Sequence, residues 1–346
     1  MQHDTVSEDL YDEVLLRLHG TGPEFDGWLS NHGPMAADAL IRLACADRVH
    51  GWLDDYVGRL DELPRPRWPI TVDRWRDPLG DPSRLGDWLA FFIGQLDDRP
   101  WQQVLTEWWP RLLPGAVAAA THPLIRTGHA VRALQERISG PRITELGHAL
   151  GYWAARWAPL PHTRPAGQLA PEQVFEQLPA VPARGGARTR LAFLSVGSRW
   201  STTASLLTTP SSALQVPAAL DRLVDAAVSR YAVWAAAEPT MLVHMATAPR
   251  AARLAIEALP TEVWLLTYRH AWATTAAIAS MYRPRLNAPL PGLTTPVALD
   301  AAEAAAAAAA TGDEHAIKFT EVALESHSRG GTQALAAAWA ASTLAD

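Results

Sequence analysis

The segment Asp313-Glu314-His315-Ala316-Ile317-Lys318-Phe319 holds the only lysine among 30 basic side chains; every other one is arginine. An arginine guanidinium stays protonated, whereas a buried amine can lose its proton and then react with a carbonyl or with carbon dioxide. On a helix, His315 and Lys318 stand three residues apart and project from one face. Four neutral imidazoles can hold a divalent metal ion, but they bring no negative charge. A lysine carbamate adds an anionic oxygen, and both burial and a nearby cation favour the neutral amine from which it forms. The same spacing also fits a surface lysine left over from a strong arginine bias, so spacing alone leaves both readings open.

Three further histidines lie just upstream of prolines. His32 sits in NHGPMAADAL, two residues before Pro34; His122 directly precedes Pro123; His244 comes five residues before Pro249. Proline suits the first turn of a helix and pushes the residue before it out of the helical region. Each histidine is therefore expected at or near a helix start or bend, and His122 at a junction from which a ring can point into a cavity. Each one taken alone reads more readily as a satisfied polar residue than as a ligand. His129 follows His122 by seven residues and falls on roughly the same helical face, as a fifth ligand or as a group orienting the site. Glu145-Leu146-Gly147-His148 has the E-x-x-H form of di-iron bundles, which need a second copy; the nearest is Asp47-Arg48-Val49-His50. The chain has no G-x-G-x-x-G, P-loop, G-x-S-x-G or H-E-x-x-H, and no histidine is followed two residues later by a carboxylate. Flavin, nicotinamide and ATP sites, and the local form of a two-histidine, one-carboxylate iron site, are thus not indicated.

The elements that must position these residues read as helices. Apolar residues recur at helical spacing in MAADALIRLACADRVHGWLDDYVGRLDEL, RPWQQVLTEWWPRLL, ITELGHALGYWAARW and PAALDRLVDAAVSRYAVWAAAE. The alanine-rich last 50 residues continue the pattern, with Gly312 ending one helix and Asp313 capping the next. Strand–helix alternation is absent. The expected fold is all-α, a single domain over 1–346 with a loop-rich insertion around 159–217 that carries one short helix. Fifteen tryptophans point to a large aromatic core or an aromatic-lined pocket. A net charge of −6 without like-charge blocks makes nucleic acid an unlikely partner. One cysteine, Cys45, excludes an internal disulfide and a multi-cysteine metal site. The acidic, polar N-terminal stretch and the lack of a long apolar run predict a soluble cytoplasmic protein that does not enter membranes.

Several segments, in order along the chain, resemble the questin oxidase-like family, whose fungal members open anthraquinone rings during polyketide biosynthesis. They are Asn31-His32-Gly33-Pro34-Met35, Leu112-Leu113-Pro114-Gly115-Ala116, and the run from His122 through Arg126 to His129-Ala130. Tyr152-Trp153-Ala154-Ala155-Arg156-Trp157, Val243-His244 to Pro249, and Asp313 to Lys318 complete the set. Pro123 stands where many members have glycine, and fungal members tend to be longer and to lack the Thr127-Gly128-His129-Ala130 version of the second motif. The resemblance implies a mostly helical fold and a mononuclear non-haem iron site with four histidines and a carboxylated lysine. Carried over by motif, the ligands are His32, His122, His244, His315 and Lys318, the last as a carbamate derived from CO2.

On that resemblance the expected activity is an Fe(II)-dependent oxygenase that uses dioxygen to cleave a carbon–carbon bond in a polycyclic aromatic polyketide. Anthraquinones are electron-poor, so the expected substrate is a reduced form supplied by a separate NADPH-dependent quinone reductase. Arg126 and His129 are the expected catalytic residues, and Met35, Tyr152, Trp153 and Trp157 the expected pocket wall. A Baeyer–Villiger-type insertion of one oxygen atom is the alternative on the same substrates. A metal-free protein that binds an aromatic ligand is the alternative from another class.

Overall fold

The computed structural model describes residues 2–182, 184–284 and 298–345. The first half runs through α1 (Gln2–Leu18), α2 (Gly33–Arg42), α3 (Val49–Val57), α4 (Leu85–Asp98), α5 (Trp101–Leu112), α6 (His122–Glu136) and α7 (Gly140–Arg156). Three short helices follow, α8 (Pro171–Gln177), α9 (Ala187–Leu194) and α10 (Arg199–Ala204). The second half holds α11 (Val216–Trp234), α12 (Pro239–Leu242), α13 (His244–Ala255), α14 (Trp264–Tyr282), α15 (Ala301–Thr311), α16 (Glu314–Ser328) and α17 (Ala334–Thr343). Among the described residues the sheet content is one antiparallel pair, β1 (Glu24–Phe25) and β2 (Leu29–Ser30). The fold is mostly helical, as the sequence periodicity predicts. No described helix is long and apolar enough to cross a membrane.

Local sequence explains most boundaries. Ser139 accepts a hydrogen bond from the Arg142 amide and starts α7 with Pro141 just inside the helix. Asp300 and Glu303 form a reciprocal capping box on α15. Gly312 then ends α15 in the left-handed conformation, and the Asp313 carboxylate caps α16 by accepting from the Ala316 amide at 2.6 Å.

Two expectations change. The periodic run from Met35 to Leu63 is broken between α2 and α3, where Ala44 takes a φ of 59°. No glycine marks that turn, so the pattern reads straight through it. The insertion around 159–217 contains three short helices rather than one, and Leu191–Leu194 belong to α9.

The largest apolar cluster joins α11, α13, α14, α16 and α17. A second joins α4, α5, α6 and α7, with Trp88, Trp101, Trp108, Trp109 and Trp153. Helix α13 serves both: Met245, Ala246 and Ala252 face the first, while Ala248, Ala251 and Ala255 face the second. Its alanines let neighbouring backbones come close. A β-carbon on Gly128 of α6 would lie 2.7 Å from the Ala251 Cα, so this crossing requires glycine.

Candidate metal centre

Four imidazoles converge at helix starts. His32 is the cap residue of α2, His122 and His244 are the first residues of α6 and α13, and His315 is the second residue of α16. The His32 ring centroid lies 4.4 Å from that of His122 and 4.6 Å from that of His315; the His122 and His244 centroids are 4.6 Å apart. His32, His122 and His315 each bring a ring nitrogen within 4.8 Å of the others.

Backbone carbonyls decide which nitrogens face the centre. A carbonyl can only accept, so His122 Nδ1 donates to the Ala119 carbonyl at 2.6 Å, and His244 Nδ1 donates to the Met241 carbonyl at 3.1 Å. Both Nε2 atoms are then bare lone pairs, and they face each other at 3.0 Å. His32 Nε2 lies 2.7 Å from the same His122 nitrogen. The His32 Nδ1 is 3.3 Å from a Glu314 carboxylate oxygen, off the line of a hydrogen bond. Opposed lone pairs at this range repel unless a cation lies between them. Two imidazoles bound at about 2.1 Å and at right angles to one metal ion stand about 3 Å apart.

Charge reinforces this arrangement. Burial pushes His32, His122 and His244 well below the usual imidazole range, and the neighbouring imidazoles and Lys318 push the same way. The rings are therefore neutral and able to ligate. Lys318 is buried, its Nζ has no hydrogen-bond partner among the described residues, and burial brings its pKa down to about 8 despite Glu314 and Asp313. An orphaned amine beside a nest of lone pairs fits a group that changes form when a cation arrives.

The ligand-bearing helices also share a direction. Six to ten residues beyond the histidines, Arg132 of α6 bonds Asp38 of α2 and donates to Glu321 of α16 at 2.5 Å. Arg250 of α13 donates to the same Glu321 oxygen at 2.7 Å. The four helices therefore run parallel, with their N-termini at the histidines and a buried ion network further along. Four helix N-termini place positive partial charge on one point, a field that favours anionic ligands around any bound cation. Glu314, whose other oxygen accepts from Arg59 at 3.0 Å, is the nearest carboxylate contact found for the cluster.

The turn before His122 is strained. Ala119, Ala120 and Thr121 have φ values of 42°, 53° and 75°, three successive non-glycine residues in the left-handed region. This turn aims the Ala119 carbonyl at the ring that follows. Pro123 is accommodated one residue into α6.

The remaining expected residues have the following partners. His129 Nδ1 is 2.8 Å from Asp38, within the ion network, and the charges acting on it are those of Asp38, Arg132 and Glu321. Arg126 makes a two-point bond to Glu145, at 2.5 and 2.8 Å, and its Nη1 is buried without a partner among the described residues. Glu145, His148 and His19 form a second group with metal-ligand spacing. Arg126 covers both Glu145 oxygens and disfavours a cation there; it holds the carboxylate down at about 2 against the upward pull of burial. His50, the other half of the di-iron pattern, is half-exposed on α3, with Glu13 4.0 Å away. Tyr152 shares a 2.7 Å hydrogen bond with Ser30, and the Trp153 indole donates to the Gly115 carbonyl at 3.1 Å. Trp157 lies against Gly115, where a β-carbon would come within 2.3 Å of the indole. Met35 and Trp153 are fully buried in the tryptophan-rich core.

Residues 55–139 match the family model described as Questin oxidase-like. Over that segment, about a quarter of the chain, the sequence is similar to the questin oxidase-like family. The description names an oxidase, and the match supports the family assignment and the coarse class of oxidoreductase. No curated protein matches the chain. The matched segment contains His122, Arg126 and His129; His32, His244, His315 and Lys318 lie outside it and meet His122 only through the fold. Sequence reading missed Glu314 and Asp38. Glu314 was within reach, since it adjoins His315 and carboxylates commonly orient ligating imidazoles. Asp38 sits on the buried face of α2, a position from which sequence alone shows no partner.

Proposed function

We propose that the protein is a mononuclear non-haem iron oxygenase acting on a reduced, phenol-bearing polycyclic aromatic of the anthraquinone type. The single observation that carries this is the pair of bare Nε2 atoms of His122 and His244, held 3.0 Å apart by backbone hydrogen bonds on their other nitrogens. His32, His122, His244 and His315 hold the metal, with Lys318 as its carbamate supplying the anionic oxygen. When bound, ferrous iron supplies dioxygen activation and stabilises developing oxyanion charge.

The protein's own groups do the rest. The Ala119 and Met241 carbonyls hold the tautomers of two ligands, and the Glu314 carboxylate lies 3.3 Å from the outward nitrogen of a third. The four helix N-termini favour the carbamate and any oxyanion that develops. With a pKa of about 8, Lys318 is partly a free amine at neutral pH, the form that captures CO2. Cleavage of a carbon–carbon bond with both oxygen atoms retained needs an electron-rich ring. A partner reductase using NADPH supplies it by delivering the hydroquinone.

Elemental analysis of untagged protein tests the centre. Near one iron per chain is expected, lost in His244→Ala and Lys318→Arg. A wild type that stays metal-free after anaerobic reconstitution with iron(II) would refute the centre. Incorporation of two labelled atoms from 18O2 supports cleavage by a dioxygenase, and one supports the Baeyer–Villiger route.

A further inference from the structure

Backbone carbonyls hold His122 and His244 by Nδ1, but His32 has no such tie. Its Nδ1 lacks a hydrogen-bond partner among the described residues, and its side chain makes no capping bond to α2. The contacts that hold it come from α3. Tyr56, buried on that helix, takes the His32 backbone N–H on its phenol oxygen at 2.6 Å. One turn earlier, Trp52 stacks on the Tyr56 ring, with centroids 4.7 Å apart and planes inclined by 17°. The Trp52 indole donates to the Gly312 carbonyl at 2.9 Å. Gly312 ends α15 immediately before the Asp313 cap, so this bond fixes the turn from which His315 projects. Just past the end of α3, the Arg59 guanidinium lies 4.3 Å from the Tyr56 ring centroid and donates to one Glu314 oxygen at 3.0 Å. The other Glu314 oxygen is the one 3.3 Å from His32 Nδ1.

We propose that Trp52, Tyr56 and Arg59 form a clamp that sets the His32 ring against that of His315, with Arg59 as the positioning residue that reaches both supports of His32. That the clamped rings hold a metal ion rests on the metal-centre reading above; the clamp itself rests on these contacts. The three residues fall at i, i+4 and i+7, one side of a helix. From there they touch the start of α2 and the start of α16, whose His32 and His315 centroids stand 4.6 Å apart. A backbone amide at a helix start has no acceptor within the helix, so a buried one needs an outside partner, and Tyr56 provides it. Stability alone does not account for Arg59. Its side chain is 46 % exposed, and an ion pair at such exposure adds little to the fold. What it does hold is the Tyr56 ring on one side of His32 and the Glu314 carboxylate on the other.

Two measurements test the clamp. In the first, metal-free protein is titrated with cobalt(II) and followed by its visible absorption. Arg59→Ala is expected to weaken cobalt(II) binding at least about tenfold, and Arg59→Lys, which keeps a cation opposite Glu314, to recover part of the loss. The Tm of the metal-free protein is expected to move by no more than about 2 °C in either variant. Arg74→Ala, which removes an exposed pair with Asp77, leaves cobalt(II) binding unchanged. Unaltered affinity in Arg59→Ala overturns the proposal. In the second, amide exchange at His32 is read by NMR in the metal-free protein. It is expected to quicken at least about tenfold in Arg59→Ala while the amides of α13 keep their rates. An unchanged His32 rate also overturns the clamp. If the wild type binds no cobalt(II), the exchange result still decides the clamp, and the metal-centre reading is the part that has failed.

Discussion

At the residue scale, Lys318 carries a cost of burial, and the proposed ligand role supplies a reason for it. Its folded pKa of about 8 lies below the ordinary lysine value of 10.5. Between these values the unfolded chain binds more protons than the native one, so the stability of the metal-free protein rises with pH across that window. Near pH 7 the burial cost is present almost in full, on the order of 3 kcal/mol. Lys318→Met removes it, and is expected to raise the Tm of the metal-free protein near pH 7 by that equivalent while abolishing metal binding. The gain should shrink near pH 10. Thermal melts of both proteins at the two pH values, without metal, check this; an equal gain at both would show that the amine is not the source. The left-handed turn makes the opposite trade. Ala120→Gly is expected to stabilise the fold by about 1 kcal/mol, because alanine is strained at positive φ, and to weaken metal affinity by loosening the Ala119 carbonyl that fixes His122. Chemical denaturation paired with metal titration reads both effects.

At the scale of elements, four parallel helices bring their N-termini to one point and are tied together about two to three turns further on. Arg132 is the hub of that tie, bonding Asp38 and Glu321 and approaching His129 at 3.1 Å. Burial and two carboxylates act on it, and the carboxylates win, holding its pKa above the usual value. Arg132→Met leaves two buried carboxylates short of a partner and is expected to cost about 3–5 kcal/mol. Arg329→Ala removes a half-exposed pair with Asp225 and is expected to cost no more than about 1 kcal/mol. Urea unfolding of the two variants checks the contrast. Equal effects would mean that the network does not hold the ligand helices in register.

At the scale of the whole molecule, the sequence determined the elements and the tertiary structure decided the site. Helical periodicity, the Ser139, Asp300 and Asp313 caps and the Gly312 stop are local signals, because capping and helical spacing involve residues within a turn of one another. The unusual status of Lys318 was equally legible, since a lone amine in an arginine-rich chain is a fact of composition. The break at Ala44 and the left-handed turn at Ala119–Thr121 were not, because alanine carries no signal for positive φ and tertiary packing imposes it. Convergence of His32, His122, His244 and His315 required the parallel stacking of α2, α6, α13 and α16, which brings together residues up to 283 positions apart. The contacts of Glu314 and Asp38 and the engagement of His129 by the ion network likewise arise between helices. A sequence specifies which side chains a helix presents; only packing selects what each of them meets.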